Sequence, residues 1–85
     1  MTNIISFRYR NHRGELATRI VDVDSIEFIR EPGFGYQSGW FVSGIDQAKN
    51  FRRSFALSHI VMDNEFVPKF YKLMEFKKNE QKEHN

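Results

Sequence analysis

The spacing of the apolar residues changes once along this chain, near Ile60, and the change divides it into two parts. Before Ile60 apolar and polar residues alternate in short runs, as in residues 5–9. A period of two predicts strands that are buried on one face. After Ile60 the apolar residues recur every three or four positions, which predicts a helix. The sequence therefore predicts a β domain in residues 1–62 and a closing helix in residues 63–85.

Turn-forming residues interrupt the alternation and set the number of strands. Glycine, asparagine and aspartate cluster between the runs, and residues 31–39 hold three of the five glycines with two aromatics, Phe34 and Tyr36. The predicted strands are residues 3–10, 16–23, 25–30, 40–45 and 51–57. Five short antiparallel strands predict a small, mostly β barrel with a loop at residues 31–39.

The C-terminal part has the features of one amphipathic helix. Asp63 or Asn64 can cap its first turn, and Pro68 is tolerated near a helix start, so we predict that the helix begins between residues 64 and 67. Beyond Phe76 the sequence is charged and has nothing to bury, which predicts a frayed tail. The residues predicted to pack on the barrel are Phe66, Phe70, Leu73 and Met74.

Composition excludes several classes of protein. The chain has no cysteine, so it has neither a disulfide framework nor a cysteine-based metal site. No apolar run exceeds three residues, and we therefore expect no signal peptide, no membrane span and a cytoplasmic location. The three histidines are far apart, and Ser58 and His59 would point to opposite faces of a strand. We predict no metal, no cofactor and no enzymatic activity.

Two arginines occupy positions that a barrel would bury. Arg19 alternates in phase with Val21 and Val23, and Arg53 is in phase with Phe51 and Phe55. A buried guanidinium needs a partner, because an unpaired buried charge is costly. Either these arginines bind no ligand, because they pair internally, for example with Glu27 or Asp46, or extend the charged head to water, or they line a pocket that receives an anion. The residues alone leave both alternatives open.

The order of these features resembles the WYL domain, whose pattern is an aromatic first strand, an arginine in the second, a Trp-Tyr-Leu strand and an Arg-x-Phe-x-Leu strand. The resemblance covers residues 4–60. The matching segments are Phe7-Arg-Tyr9, Arg19-Ile-Val21, Trp40-Phe41-Val42 and Arg53-Ser-Phe55-Ala-Leu57-Ser-His59-Ile60. The departures are Val23 for proline, Phe41 for tyrosine, Val42 for leucine and His59 for arginine.

The resemblance implies an Sm-like small five-stranded antiparallel β-barrel that senses ligands in bacterial transcription regulators and phage-defence systems. Nucleic acid or nucleotides are the ligands it implies. Because the first predicted strand starts so early, we expect a stand-alone WYL-like domain without the helix-turn-helix module of the family. The implied ligand-binding residues are Tyr9, Arg19, Trp40, Arg53 and His59. Trp40 could instead belong to the core, and His59 could be a neutral, hydrogen-bonded residue.

Two functions follow as hypotheses. The first is a non-enzymatic binding module for single-stranded nucleic acid or a nucleotide-like anion, with arginines on phosphate and aromatic rings stacked on bases. The second is a protein–protein interaction module that forms a homodimer or modulates a larger regulator, with Phe34 and Tyr36 as its anchors.

Overall fold

A computed structural model describes the backbone of residues 3–83 and the side chains of residues 3–75. The described strands form one antiparallel sheet in the order β1-β2-β3-β4, followed by a helix. The elements are β1 (Ile4–Arg10), β2 (Leu16–Ile29), β3 (Gly39–Asp46), β4 (Phe51–Ala56), a short 3-10 helix (Leu57–His59) and α1 (Phe66–Glu83). This architecture confirms the prediction of a mostly β fold with a C-terminal helix.

The predicted closed barrel of five strands is wrong, because the predicted second and third strands are one strand. Asp24-Ser25, which the sequence pattern identifies as a turn, is instead the site of a bulge between Val23 and Ser25. A bulge bends a strand without ending it. The first half of β2 therefore pairs with β1 and the second half pairs with β3. The result is an open sheet of four strands.

The chain after β4 returns to β1 and makes only a short contact with it. Tyr9 and Ile60 form an isolated antiparallel bridge. The backbone N–H of Val61 donates to the carbonyl oxygen of Arg8 at 2.9 Å. β4 itself pairs only with β3 in the described sheet. One edge of β4 is therefore left without a neighbouring strand.

The core lies between the concave side of this sheet and the first half of α1. Phe66 and Leu73 are buried, and Phe70 packs against the core from the side. Met74 is 45% exposed, so the prediction that it packs on the sheet is wrong. One residue further along a helix is a rotation of about 100°, which turns Met74 away from the side that Leu73 buries. The buried core residues are Ile5, Phe7, Tyr9, Val21, Val23, Val42, Phe55, Ile60, Phe66 and Leu73.

The helix α1 begins where the sequence predicts and runs further than expected. It continues to Glu83, past Phe76, and residues 77–83 are mostly lysine, glutamate and glutamine, which have a high intrinsic helix propensity. Residues 84 and 85, the end of the predicted frayed tail, lie outside the described residues. Among the described residues, no helix is both long and apolar enough to span a bilayer.

Asp63 caps the N-terminus of α1 and ties it to β1. Its Oδ1 accepts the backbone N–H groups of Glu65 at 3.1 Å and Phe66 at 2.9 Å. Its other carboxylate oxygen accepts a hydrogen bond from Arg8 at 3.2 Å. The N–H of Phe66 is the main cause that lowers the pKa of the Asp63 carboxyl below its ordinary value of 3.8, and Arg8 lowers it further.

This cap should make part of the stability pH-dependent. A carboxyl whose pKa is lowered by folding stabilises the native state above its unfolded pKa, and this contribution is lost as the pH falls through the folded pKa. We expect the Tm of the wild type to fall between about pH 5 and about pH 2. Asp63→Asn should have a smaller acid-induced fall, since asparagine still caps a helix but does not titrate. Thermal unfolding followed by circular dichroism measures the Tm of both proteins as a function of pH. An equal fall in Tm for the two proteins would contradict the role of Asp63 in the pH dependence.

Candidate anion-binding cleft

A cleft of about 600 Å³ opens where the sheet fails to close. Four consecutive residues of β4 line it, although successive side chains of a strand point to opposite faces. The cleft must therefore run along the free edge of β4, and we call it the edge cleft. Its lining residues are Tyr9, Asn11, His12, Arg19, Ile29, Glu31, Pro32, Phe34, Tyr36, Phe41, Lys49, Phe51, Arg52, Arg53 and Ser54.

The structure brings three of the five predicted ligand-binding residues together in the edge cleft: Tyr9, Arg19 and Arg53. They lie on three different strands, and the pairing of β1 with β2 and of β3 with β4 sets their positions. The sheet topology therefore makes one site from residues that are up to 44 positions apart, from Tyr9 to Arg53.

Tyr9 provides a buried, neutral wall of the edge cleft. Its hydroxyl oxygen accepts the backbone N–H of Ala56 at 3.0 Å, and its ring lies edge-on to Phe55 with centroids 5.0 Å apart. Burial raises the pKa of the Tyr9 hydroxyl above its usual value, and the hydrogen bond with the Tyr36 side chain raises it further. Tyr9 thus keeps its proton at neutral pH and supplies a ring and a hydroxyl but no charge.

Arg53 is an internally paired cation. Its Nη1 lies 3.3 Å from the Oδ2 of Asp46, whose side chain is 1% exposed. The guanidinium also lies 5.3 Å from the centroid of the Phe55 ring. Asp46 in addition accepts the N–H of Ala48 at 3.0 Å. The sequence left open whether Arg53 pairs internally or faces a pocket for an anion. In the structure Arg53 forms the internal ion pair with Asp46.

Removing Arg53 should therefore destabilise the fold. Arg53→Ala leaves the carboxylate of Asp46 buried without its counter-charge, and because Arg53 is 31% exposed we expect a loss of about 1–2 kcal/mol in unfolding free energy. Arg52→Ala is the matched control, because the Arg52–Asp24 pair is half-exposed on both sides. Surface pairs contribute about 0–1 kcal/mol. Urea denaturation measures the unfolding free energy of the two variants. Equal losses would mean that the buried Arg53–Asp46 pair stabilises the fold no more than an exposed pair does.

Arg19 differs from Arg53 because its guanidinium lacks a complete set of partners. It lies on β2 opposite Phe7, in phase with the buried Val21, and its side chain enters the edge cleft. Its Nε is buried, yet no hydrogen-bond partner for it exists within the described part of the chain. A buried donor without an acceptor costs free energy. The described residues therefore leave part of the hydrogen-bonding capacity of Arg19 unused.

Positive charge dominates the lining of the edge cleft. Two of its arginines, Arg52 and Arg53, already contact the carboxylates of Asp24 and Asp46. Cations in a concave site attract anions more strongly than on a flat surface, because the low-dielectric walls focus the field. The charged lining residues are Arg19, Lys49, Arg52 and Arg53 against a single acid, Glu31.

Aromatic rings line the opposite part of the edge cleft. Tyr36 packs edge-on against His59, with ring centroids 4.8 Å apart, and also lies near Tyr9 and Phe41. These contacts hold Tyr36 half-buried, whereas Phe34 is 79% exposed. The two residues predicted as interaction anchors therefore differ: Tyr36 is half-buried and packed against other rings, and Phe34 is exposed at the tip of the loop.

Trp40 lies outside the edge cleft and outside the core. It is 53% exposed and faces Phe28 across β2 and β3, with ring centroids 5.6 Å apart. Phe28 is exposed to a similar extent. The alternative that Trp40 belongs to the core is therefore wrong, and Trp40 does not line the edge cleft with Tyr9, Arg19 and Arg53.

His59 lies behind the cleft wall. It belongs to the 3-10 helix that follows β4. Its Nδ1 is 2.8 Å from the carbonyl oxygen of Arg10. Since a carbonyl only accepts, Nδ1 carries the proton. His59 does not line the edge cleft, and it affects the cleft through the packing of its ring on Tyr36.

Sequence reasoning missed His12 and Lys49 as cleft residues. Both are in hairpin connections, His12 between β1 and β2 and Lys49 between β3 and β4. The only signal in the sequence is their residue type beside turn residues, which is common on any protein surface. Their convergence on one cleft depends on how the two hairpins fold towards each other.

Comparisons of the chain with protein-family models, with curated proteins and with solved structures give no match. The resemblance to the WYL domain therefore stays a prediction.

Proposed function

We propose that this chain is a non-enzymatic binding module for a phosphate-bearing ligand, either a segment of single-stranded nucleic acid or a nucleotide. By the resemblance to WYL domains, binding would regulate transcription or phage defence. The observation that carries the proposal is Arg19, a cation that lines the edge cleft and has no ion pair among the described residues.

Phosphate is the anion that best satisfies this arrangement. Because the Arg19 Nε is buried, a phosphate in the cleft would meet the terminal nitrogens of the guanidinium, which can donate two parallel hydrogen bonds to two phosphate oxygens. Lys49 and Arg52 line the same cleft and can add charge without a fixed geometry. A cleft of about 600 Å³ lies within the range of small-ligand sites, so it can hold a ligand of nucleotide size.

The rings of the edge cleft support a nucleotide over a simple inorganic anion. Tyr9, Phe34, Tyr36 and Phe41 supply apolar lining that a bare phosphate would not use. Stacking of a base on an aromatic side chain contributes about 1–3 kcal/mol and tolerates any base. This fits a module that binds a strand or a nucleotide without strict sequence selection.

A titration at two salt concentrations tests the proposed function. Single-stranded DNA, single-stranded RNA and nucleoside monophosphates are added to the whole chain, and heat of binding is measured. We expect saturable binding that weakens with salt, with a slope of about 0.7 in log affinity per log salt for each phosphate contact of a single strand. Absence of binding at low salt, or an affinity that salt does not change, would contradict the proposal.

An interaction module stays the second candidate, and the exposed aromatic pair supports it. Phe28 and Trp40 lie together on β2 and β3, each more than half exposed. Aromatic residues are enriched among the anchors of protein interfaces. Light scattering of the wild type and of Trp40→Ala, with and without a nucleotide, tests it. A dimer that Trp40→Ala dissociates and that nucleotide leaves unchanged would favour this function over the first.

A further inference from the structure

The tip of the loop between β2 and β3 has a backbone geometry that does not suit its residues. Gly33, Phe34 and Gly35 have φ angles of +81°, +53° and +80°. The N–H of Tyr36 donates to the carbonyl oxygen of Gly33 at 3.0 Å, which makes Phe34 and Gly35 the two central residues of a turn. A turn with positive φ at both central positions prefers asparagine, aspartate or glycine at the first of them. Phe34 is a bulky residue where a small one is favoured.

The fold gains little from this strained phenylalanine. Its side chain is 79% exposed. Within the described part of the chain its only ring contact is with His12, at 6.1 Å between centroids, and His12 is itself exposed. Strained, exposed side chains concentrate at functional sites, where a ligand supplies the contact that the protein lacks. The position of Phe34 on the edge cleft gives it access to such a ligand.

We infer that Phe34, with His12 and Tyr36, forms a base-stacking subsite of the edge cleft, so that its ligand presents an aromatic base together with a phosphate. The inference rests on the proposed function, since Arg19 holds the phosphate of the same ligand. His12 and Tyr36 support the subsite from one side, with their rings 6.3 Å apart and nearly perpendicular. Phe34 offers an open ring face to the base. The ligand class is therefore narrowed to a nucleotide unit, and phosphorylated sugars and inorganic phosphate bind more weakly.

The turn geometry allows a test in which stability and binding change in opposite directions. Phe34→Asn places a residue suited to positive φ at the tip, so the Tm should rise, by about 4–8 °C if the relieved strain is typical. Its affinity for adenosine monophosphate should fall by between about 5-fold and about 150-fold, the loss of one stacked base. Its affinity for ribose 5-phosphate, which has no base, should not change. Phe34→Trp keeps a ring and should keep the adenosine monophosphate affinity and a Tm near that of the wild type.

Trp40→Ala is the matched control, because it removes an exposed aromatic outside the cleft and should leave both affinities unchanged. If the wild type binds adenosine monophosphate and ribose 5-phosphate equally, and Phe34→Asn binds both as well as the wild type, the base subsite is wrong while the phosphate site stands. If neither compound binds, the proposed function fails and the subsite with it. A lower Tm in Phe34→Asn would show that Phe34 serves the fold, and would also overturn the inference.

Discussion

A Gly44→Ala variant is expected to lose at least about 3 kcal/mol of unfolding free energy, the largest stability effect predicted for this chain. A Cβ at position 44 would lie 2.0 Å from the carbonyl oxygen of Asp22 and 2.8 Å from the Cα of Val23. Both are backbone atoms of β2, directly before the bulge that lets this strand pass from β1 to β3. A flexible side chain could move aside, but a strand backbone cannot do so without losing its hydrogen bonds to β3.

Gly39→Ala is the control for this prediction. Gly39 also belongs to β3, but a Cβ there would meet nothing within 4 Å. We expect its unfolding free energy to change by less than about 0.5 kcal/mol. Urea denaturation of the two variants makes the comparison. A Gly44→Ala variant as stable as Gly39→Ala would mean that β2 and β3 are not in the close contact described at the bulge.

Arg19→Met is expected to lower the affinity for single-stranded nucleic acid or nucleotide by about 10-fold to 150-fold. The loss corresponds to a charged hydrogen-bonding group removed from a phosphate. Methionine keeps a long apolar side chain against the residues that pack on the arginine stem, so the packing loss is small. It also removes the buried Nε that lacks a partner among the described residues. The stability of the free protein should therefore be unchanged or higher.

Arg19→Lys separates charge from geometry. Lysine keeps the positive charge but loses the planar pair of donors, so it should recover only part of the affinity. Isothermal titration calorimetry measures the affinity of the wild type, Arg19→Met and Arg19→Lys for the same nucleic acid or nucleotide. If Arg19→Met binds the phosphate-bearing ligand as well as the wild type does, Arg19 has no part in the site.

The alternation of the sequence singled out both arginines, but it could not decide their roles. Arg19 and Arg53 do line one cleft, although parity does not place Arg53 there, because Arg52 of the opposite parity lines the same cleft. Whether a carboxylate lies beside each depends on the hairpin that follows β3. Asp46, at the end of β3, comes within 3.3 Å of Arg53. For Arg19, no ion pair is found in the described part of the chain.

The number of strands was predicted wrongly because a bulge and a turn have similar sequences. Asp24-Ser25 interrupts the alternation as a turn would, yet the strand continues through it. The close approach of Gly44 to Asp22 and Val23 is what accommodates the bend. This contact is between segments about 20 residues apart, so a local pattern cannot reveal it.

The predicted positions of Trp40 and His59 depended on features that local patterns do not determine. Trp40 lies on an exposed part of the sheet beside Phe28, and His59 lies in the 3-10 helix that ends the parity of β4. The sequence predicted a loop at residues 31–39 with two aromatic residues, Phe34 and Tyr36. It did not predict the type of turn at the tip of this loop. The positive φ of Phe34 is visible only in the folded backbone.

Thermal unfolding with and without a ligand shows whether Arg19 holds a phosphate. Wild type and Arg19→Met are unfolded alone and with single-stranded DNA at about 100 times its dissociation constant for the wild type, where binding should stabilise the wild type by about 2.7 kcal/mol. We expect the order of the two proteins to reverse: without DNA, Arg19→Met unfolds at the same temperature as the wild type or a higher one, and with DNA the wild type unfolds at the higher temperature. An Arg19→Met variant that is less stable than the wild type alone, or that DNA stabilises as much as it stabilises the wild type, would contradict this role of Arg19.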